Sequence, residues 1–247
     1  MQDAADHVQW STFNDMLFPT DLETVLMKSV FPTEWLIRAA SCRQQFVVNG
    51  LARFIAQPTS WRRPVNVKRV ILVAGQVEND PTLKQSANSI RTNLGLLKAV
   101  GLANTDAYIV FKPHPEVWSQ WQANGVIASE IQEWCDECVG DIPLSQLLPK
   151  VNEVHVMTSL VGFEALLRGK KVTSYGHSFY AGWGLTTDML PMPHRTRRLS
   201  IDELLAGTLY CHPRLLGRYQ RKVWATDLAM PAITPLRSSG PRLSART

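Results

Sequence analysis

Three polar clusters in this chain contain residue types that can do chemistry, and each directly follows an apolar segment. GQVEND, ending at Asp80, follows VILVA; KPHP, containing His114, follows AYIVF; and Thr158-Ser159 follows VHVM. Short apolar runs bounded by turn residues are typical of strands buried in a parallel sheet. Such sheets bind ligands outside the carboxyl ends of their strands, which share one edge. We therefore expect the three clusters to converge on one crevice.

The first cluster offers an amide at Gln76 and a carboxylate at Asp80. Directly after a buried strand, this pair indicates either the edge of an active site or a turn. Asn79-Asp80-Pro81 has the composition of a turn by itself, so the residues alone leave both interpretations open.

The second cluster holds His114 between two prolines, which fix the backbone on either side of it. The imidazole and the Lys112 ammonium are therefore held at set positions. A lone histidine usually has a structural role, but this setting at a strand end favours a ligand-binding role.

The third cluster opens a helix. Residues 161–168 have a helical pattern that we expect to end at Gly169, which tolerates the left-handed C-terminal position. Backbone amides and the positive end of the helix dipole attract anions to a helix N-terminus. Ser159 can cap this helix and donate its hydroxyl to a phosphate, and Glu164 can accept from a sugar hydroxyl. The pattern indicates a phosphate-bearing ligand.

Residues 176–184, GHSFYAGWG, form what we call the aromatic loop. A long segment of glycine and aromatic residues outside regular elements is more typical of a binding lid than of packing. The sequence therefore predicts a solvent-exposed aromatic lid beside the crevice.

The elements that must position these residues alternate between strand and helix from Lys68 to about Arg214, which predicts an α/β fold with a doubly wound parallel sheet of four or five strands. The predicted strands are residues 69–74, 107–112, 154–157 and 172–175. The predicted helices are residues 88–100, 126–139, 161–168 and 201–209, and residues 144–148 are a further short apolar element.

The chain divides into three predicted regions. Residues 1–62 form a helical extension and linker, with one helix around Leu22 and Leu26, a second from residue 33 to about 54, and a linker over residues 57–67. Residues 63–230 form a Rossmann-like domain, and residues 231–247, rich in Ser, Pro and Arg, form a flexible tail.

Composition excludes several classes of protein. With 45% hydrophobic and 19% charged residues the chain is globular and not disordered. The net charge of +5 is compatible with an ordinary solvated surface or with contact to an anionic ligand or lipid surface. No nucleic-acid-binding signature accompanies the basic residues. The acidic start MQDAADHVQW is unlike a secretory signal and no apolar run is long enough to span a membrane, so we expect a cytoplasmic protein.

Two of the four cysteines, Cys135 and Cys138, form the segment WCDEC. A structural zinc site needs a second close pair, and a thioredoxin-like motif should open a helix just after a strand. Neither condition is met, so we expect free thiols on the predicted helix of residues 126–139.

A family resemblance appears in the same motifs. GQVENDPTL, IVFKPHPEV, EVHVMTSLVGFEALLRGKKVTSYG, FYAGWGLTTD and RRLSIDELLAGTLYCHPR are similar, in order and spacing, to the capsular polysaccharide synthesis proteins of the KpsC/LipA type. The resemblance implies a GT-B-like glycosyltransferase that moves Kdo (3-deoxy-D-manno-octulosonic acid) from CMP-β-Kdo to a glycolipid primer with retention of configuration. It also implies that this chain holds the donor-binding half, uses neither metal nor cofactor, and works in the cytoplasm or at the inner membrane with other capsule proteins.

The family's functional residues match positions in this chain. The Gln-x-x-x-Asp motif falls on Gln76 and Asp80, which makes Asp80 the nucleophile of a double displacement. The His-Pro motif falls on His114-Pro115, with His114 donating to the CMP phosphate, and Lys112 would add a positive charge near the phosphate or sugar carboxylate. The remaining matches are to the donor pocket and consist of Ser159, Gly162, Phe163, Glu164, Tyr180 and Trp183.

One departure keeps alternatives open. The chain has no Glu-Asp-Gly-Phe motif, which in the family marks the acceptor-binding half and supplies the general base. The chain is then a truncated module, a donor half whose acceptor half is another polypeptide, or a module that has lost catalysis. A retaining β-Kdo transferase, a non-catalytic nucleotide-sugar-binding or assembly subunit, and an unrelated CMP- or UDP-sugar transferase all fit the sequence.

Overall fold

A computed structural model describes residues 20–49, 60–80, 83, 90–124, 129–211 and 234–235. Within these ranges the helices are α1 (Thr20–Lys28), α2 (Thr33–Asn49), α3 (Asn93–Ala103), α4 (Pro115–Asn124), α5 (Ser129–Gln132), α6 (Leu144–Leu147), α7 (Leu160–Leu167) and α8 (Ile201–Cys211), with a 3₁₀ turn at Leu148–Lys150. The strands are β1 (Ser29–Val30), β2 (Val70–Ala74), β3 (Tyr108–Lys112), β4 (Glu137–Cys138), β5 (Glu153–Val156), β6 (Lys171–Ser174), β7 (Thr187–Asp188) and β8 (Thr234–Pro235).

Six strands form one parallel sheet in the order β4-β3-β2-β5-β6-β7. The predicted α/β fold with a doubly wound parallel sheet is confirmed. The two strands outside the four predicted ranges, β4 and β7, are two-residue strands at the sheet edges, too short to leave a periodic signal.

Both faces of the sheet are covered. Side chains alternate along a strand, so Val70 and Leu72 of β2 join one hydrophobic cluster, whereas Ile71 and Val73 join the other. The second cluster contains the buried side of α3, and the first contains α7 and α8. A parallel sheet buried on both faces accounts for the continuous apolar runs in its strands.

The N-terminal helices α1 and α2 pack against α8 and share the first cluster with the sheet. A Cβ atom on Gly207 would lie 2.6 Å from Leu26 Cδ2, so α1 and α8 approach as closely as a glycine allows. The Arg43 guanidinium of α2 is 2.7 Å from the Asp202 carboxylate of α8. Helical structure is confirmed for residues 20–28 and 33–49, whereas residues 1–19 and 50–59 lie outside the described residues.

The helix predicted over residues 126–139 is present at residues 129–132, but its C-terminal part is wrong. Residues 125–128 lie outside the described residues, α5 ends at Gln132, and the chain then joins the sheet as β4. Asp136 explains the change, because its backbone N–H donates to the Ile109 carbonyl at 2.9 Å and its carboxylate accepts from the Ile109 N–H at 2.7 Å. Cys138 therefore lies on an edge strand and Cys135 in the turn before it, not on a helix; neither is in a disulfide.

Three other segments differ in detail. The helix predicted from residue 88 begins at Asn93, because the Thr92 side chain accepts from the Gly95 N–H and caps it, and residues 84–89 are outside the described part. The short apolar element at residues 144–148 forms helix α6 and the start of the 3₁₀ turn. In the predicted linker, Trp61 is buried and its indole N–H donates to Glu137. Of the predicted tail, residues 234–235 pair with β1 as β8 and the rest lies outside the described residues, so the domain boundaries stay a prediction.

Candidate active site

The order of the strands reverses between β2 and β5. From β2 the chain moves outward through β3 and β4, and then returns to the other side of β2 with β5, β6 and β7. In open α/β sheets ligands bind outside the carboxyl ends of the strands at such a switch point. All three polar clusters follow strands at or next to it: GQVEND follows β2, KPHP follows β3, and Thr158-Ser159 follows β5. The predicted convergence on one sheet edge is therefore present in the fold.

A side-chain amide bridges the switch point. Gln76, after β2, accepts from the Thr158 N–H through Oε1 at 2.8 Å and donates through Nε2 to the Thr158 hydroxyl at 3.0 Å. Both polar atoms of this amide are used in joining the two loops. Gln76 therefore fixes the distance between the loop after β2 and the loop after β5.

Asn93, in the first turn of α3, also holds the loop after β2, and the sequence analysis did not identify this residue. Its side chain is buried, accepts from the Gln76 N–H at 2.9 Å and donates to the Gln76 carbonyl at 2.9 Å. The Asn93 N–H in turn donates to the Glu78 carboxylate at 2.7 Å. A signal existed in hindsight: a polar residue in the first turn of an apolar helix must satisfy its amide when it is buried.

His114 caps α4. Its Nδ1 accepts from the Glu116 N–H at 3.3 Å and its carbonyl accepts from the Trp118 N–H at 2.9 Å. Since Nδ1 is an acceptor, the neutral ring carries its proton on Nε2, which is then the ring's donor. Burial lowers the pKa of His114, while the carboxylates of Glu116 and Asp80 raise it by less. The imidazole is thus neutral at pH 7 and able to donate one hydrogen bond through Nε2.

Asp80 lies on the turn that leads out of the first loop. Its N–H donates to the Val77 carbonyl at 3.1 Å and its carbonyl accepts from Leu83 at 3.1 Å. Its carboxylate raises the pKa of His114 against the larger effect of burial, so the two groups lie close enough to interact electrostatically. The turn interpretation and the site interpretation of Asn79-Asp80-Pro81 are therefore compatible at Asp80, while Pro81 lies outside the described residues.

Lys112 ends β3 and turns toward the edge of the sheet. Its ammonium donates to the Gly140 carbonyl in the loop after β4. Burial lowers the pKa of Lys112 to about 8, with the nearby Asp141 carboxylate partly opposing the shift. With this pKa the Lys112 ammonium is still mostly charged at pH 7 and about half charged near pH 8.

Ser159 caps α7 as predicted. Its hydroxyl accepts from the Val161 N–H at 3.3 Å, its carbonyl accepts from the Gly162 N–H at 3.0 Å, and Gly169 at the far end has a φ of +69°. The hydroxyl of Tyr180 also donates to the Ser159 carbonyl. A Cβ atom on Gly162 would lie 2.4 Å from that hydroxyl, so only glycine admits the contact.

Glu164 is buried one turn into α7 and forms an ion pair with Arg168 at 3.0 Å. Arg168 Nη2 also donates to the Phe46 carbonyl of α2 at 3.3 Å. The ion pair gives this buried carboxylate a charged partner and fixes its orientation. A role for Glu164 toward a sugar hydroxyl stays a prediction.

The prediction of a solvent-exposed aromatic lid is wrong. The rings of Phe179, Tyr180 and Trp183 are buried, and Phe179 packs edge-on against Phe163 with ring centroids 5.0 Å apart. The polar tips of the buried rings are satisfied internally, since the Trp183 indole N–H donates to the Phe179 carbonyl at 2.8 Å. The aromatic loop is a packed support for the Ser159 turn. Direct contact of Phe163, Tyr180 or Trp183 with a donor stays a prediction.

The structure thus places Gln76, His114 and Ser159 at the carboxyl edge of three adjacent strands, and Asp80 close enough to His114 to raise its pKa. No group of three or more His, Cys, Asp or Glu side chains in the described ranges could hold a metal ion. Within those ranges no helix is long and apolar enough to cross a membrane.

Comparison with known proteins identifies the family. A family model described as capsule polysaccharide biosynthesis protein matches residues 50–212, about two thirds of the chain. The chain belongs to this family. The resemblance inferred from the motifs is confirmed, and membership places the chain in capsule polysaccharide biosynthesis or modification.

Individual relatives agree with the family. The chain is 39% identical over 201 residues to the capsule polysaccharide modification protein LipA of Neisseria meningitidis serogroup A, an alignment that covers 79% of this chain and 29% of LipA. It is 36% identical over 200 residues to the lipopolysaccharide-processing protein LpsZ of Rhizobium meliloti, covering 79% of this chain and 46% of LpsZ. The chain therefore spans less than half the length of these curated relatives.

Two solved structures share the fold. The β-Kdo 2,7 transferase of Thermosulfurimonas dismutans KpsC has 40% identity and a TM-score of 0.64, over 80% of this chain and 60% of that one. The β-Kdo 2,4 transferase of the same KpsC has 23% identity and a TM-score of 0.61, over 79% of this chain and 61% of that one, and supports the fold alone.

Proposed function

We propose that this chain binds CMP-Kdo at the crevice outside β2, β3 and β5 and forms the donor half of a retaining β-Kdo transferase. The observation that carries the proposal is the Gln76–Thr158 bridge across the switch point, with His114 and the Ser159 turn on either side of it. The similarity to a β-Kdo 2,7 transferase supports Kdo as the sugar.

The phosphate of CMP would lie between two kinds of donor. The Ser159 hydroxyl and the N-terminus of α7 favour an anion, and the Nε2–H of a neutral His114 can donate to a phosphate oxygen. Lys112 would act at longer range as a positive charge, because its ammonium already donates to Gly140. These groups stabilise the charge that develops on CMP as it departs.

Asp80 would act as the nucleophile. Its carboxylate oxygen bonds to the anomeric carbon of Kdo while the bond from that carbon to the phosphate oxygen breaks, and CMP leaves with the bonding pair. A hydroxyl of the glycolipid acceptor then displaces the carboxylate and gives its proton to a general base of the acceptor-binding half. Two inversions restore the original configuration. Gln76 suits a positioning role, since both polar atoms of its amide are engaged with Thr158.

Incubation of the purified chain with CMP-Kdo, followed by intact-mass measurement, tests this chemistry. We expect a population heavier by one Kdo residue in the parent chain and none in Asp80→Asn, which is nearly isosteric and should still bind CMP. An adduct of equal abundance in Asp80→Asn would show that another residue is the nucleophile. A parent chain that binds CMP-Kdo without forming an adduct would contradict covalent catalysis by this half.

A non-catalytic donor-binding or assembly subunit is the second candidate. It needs the crevice only as a binding site, with the neutral His114 imidazole and the Ser159 turn as the groups that bind the donor. The two candidates differ in transfer to a glycolipid primer when an acceptor-binding half is supplied. A split enzyme transfers Kdo under those conditions and loses several orders of magnitude in Asp80→Asn, whereas loss of one binding contact costs roughly 10- to 100-fold. If the chain is a binding subunit, neither the parent nor Asp80→Asn transfers Kdo.

The proposed acceptor also suggests where the chain works. A glycolipid primer is held in a membrane, so we propose that the chain acts at the cytoplasmic face of the inner membrane together with other capsule biosynthesis proteins. Flotation of the chain, mixed with a supplied acceptor-binding half, on vesicles containing the primer and not on vesicles lacking it is the expected result.

A further inference from the structure

A buried arginine ties the N-terminal helix α1 to the aromatic loop. Arg195 Nη1 donates to the Ser178 carbonyl at 2.7 Å and to the Ala181 carbonyl at 2.6 Å, and Nη2 is 3.2 Å from the Glu23 carboxylate of α1. Its guanidinium carbon lies 5.0 Å from the centre of the Trp183 ring, on the ring face. Only 5% of the Arg195 side chain is exposed, so these contacts replace most of its hydration.

The two carbonyls that Arg195 holds flank Tyr180. The Tyr180 hydroxyl reaches back to the carbonyl of Ser159, the same oxygen that accepts from the Gly162 N–H in the first turn of α7. Hydrogen bonds therefore connect Glu23 to the aromatic loop through Arg195, and connect the same loop to the N-terminus of α7 through Tyr180. Each group in it is buried or half-buried, where hydrogen bonds are least exchangeable with water.

Two glycines make room for this connection. A Cβ atom on Gly182 would lie 2.9 Å from Arg195 Cδ, and Gly182 has a φ of +80°, a conformation that L side chains rarely adopt. Gly162 similarly admits the Tyr180 hydroxyl. The backbone is thus shaped for both the Arg195 contact and the Tyr180 contact.

We infer that Arg195 is a positioning residue of the donor site. Arg195 holds the Ser159 turn in place through the aromatic loop, and Glu23 anchors the Arg195 side chain to α1. The inference rests on the proposed function, because it assigns the Ser159 turn to the donor phosphate. It also makes the N-terminal helix α1 a support of the binding site.

Arg197 provides a matched control. Its Nη1 donates to the carbonyls of Leu26 at 3.0 Å and of Ser29, and its Nη2 pairs with Glu203 at 2.9 Å. It too ties α1 to the body of the protein, but its hydrogen bonds in the described part of the chain involve no residue of the aromatic loop. Replacing either arginine should therefore weaken the packing of α1 against the protein. Only replacement of Arg195 should also loosen the Ser159 turn.

The test measures amide hydrogen exchange of peptides covering residues 159–163 in the parent chain, Arg195→Met and Arg197→Met, with thermal unfolding and CMP titration of each. We expect both variants to lower Tm. We expect exchange in residues 159–163 to rise about tenfold or more in Arg195→Met only, with CMP affinity falling by about the same factor. Arg195→Lys, which keeps a cation and can reach one carbonyl, should fold readily and recover part of both effects.

Equal exchange of residues 159–163 in the two methionine variants would overturn the inference, as would parent-like exchange and CMP affinity in both Arg195→Met and Arg195→Lys. The exchange measurement needs no nucleotide, so its outcome is separate from that of the proposed function. A parent chain that fails to bind CMP contradicts the proposed function and leaves the structural coupling through Arg195 to be judged by exchange.

Discussion

The loops after β2, β3 and β5 differ in kind from the aromatic loop after β6, although all four leave the same edge of the sheet. The first three, which we call the crevice loops, carry polar groups, and the Gln76 side chain joins the loop after β2 to the loop after β5 through its hydrogen bonds with Thr158. The aromatic loop buries its large side chains and directs its polar tips inward, toward Phe179 and Ser159. The crevice loops hold the proposed ligand-binding groups, and the aromatic loop supports the loop after β5, at the Ser159 turn.

The largest expected effect is the loss of folding stability when a buried ring of the aromatic loop is removed. Trp183→Ala removes a fully buried indole that packs under Arg195, and should lower the free energy of unfolding by about 3–5 kcal/mol. Trp118→Ala is the control, because that ring is half-buried and should cost clearly less. Urea unfolding of both variants is the measurement. Equal losses would mean that the aromatic loop is no more a part of the core than α4 is.

The second effect is on ligand affinity. His114→Ala removes the proposed donor to the phosphate and should weaken CMP binding by about 1.5–3 kcal/mol, or about 10- to 150-fold, while Tm changes little. His194→Ala is the control, since that ring is exposed and pairs with Glu23. Calorimetric titration distinguishes the two. Unchanged CMP affinity in His114→Ala would leave His114 with its structural role as the cap of α4.

The third effect, a loss of stability in acid through His155, should be comparable in free energy to the second. His155 of β5 is buried, with Tyr175 Oη 3.2 Å from Nδ1 and Glu153 3.7 Å from Nε2. Burial lowers the pKa of His155 to about 4, so the unfolded chain binds a proton between pH 6.5 and 4 that the folded chain does not. Stability from this residue is therefore present above pH 6.5 and is lost as the pH falls.

From pH 7 to pH 5 the His155 contribution should fall by about 2 kcal/mol. The lowered pKa of His114 acts in the same direction. Urea unfolding at both pH values should show a smaller loss in His155→Asn than in the parent. If the two chains lose the same stability over this interval, His155 is not held neutral by the fold.

The smallest effect is expected at the two cysteines near the edge strand. Burial raises the pKa of Cys135 to about 11 and that of Cys138 to about 12, so neither is a reactive thiolate at pH 7. The double variant Cys135→Ser, Cys138→Ser should bind CMP within about twofold of the parent, because the crevice loops do not include these residues. A tenfold weaker affinity would extend the site to β4.

Sequence reasoning anticipated the central strands, the Ser159 cap and the convergence of the crevice loops, because each depends on local chemistry or on the rule for parallel sheets. It failed at residues 133–139, where the tertiary pairing of Asp136 with Ile109 overrides a helical pattern. It also failed at the aromatic loop, because whether a ring is exposed depends on partners such as Arg195 and Gly162 that lie elsewhere in the chain. Asn93 was missed for the same reason.

Hydrogen exchange of the parent chain with and without CMP tests most directly whether the donor nucleotide binds at the carboxyl edge of β2, β3 and β5. We expect protection on CMP binding in peptides from the three crevice loops, residues 75–80, 113–118 and 158–162. The aromatic loop, already packed, should change least among the four loops at this edge. Protection confined to the aromatic loop, or to segments away from the carboxyl edge of β2, β3 and β5, would contradict binding at this edge.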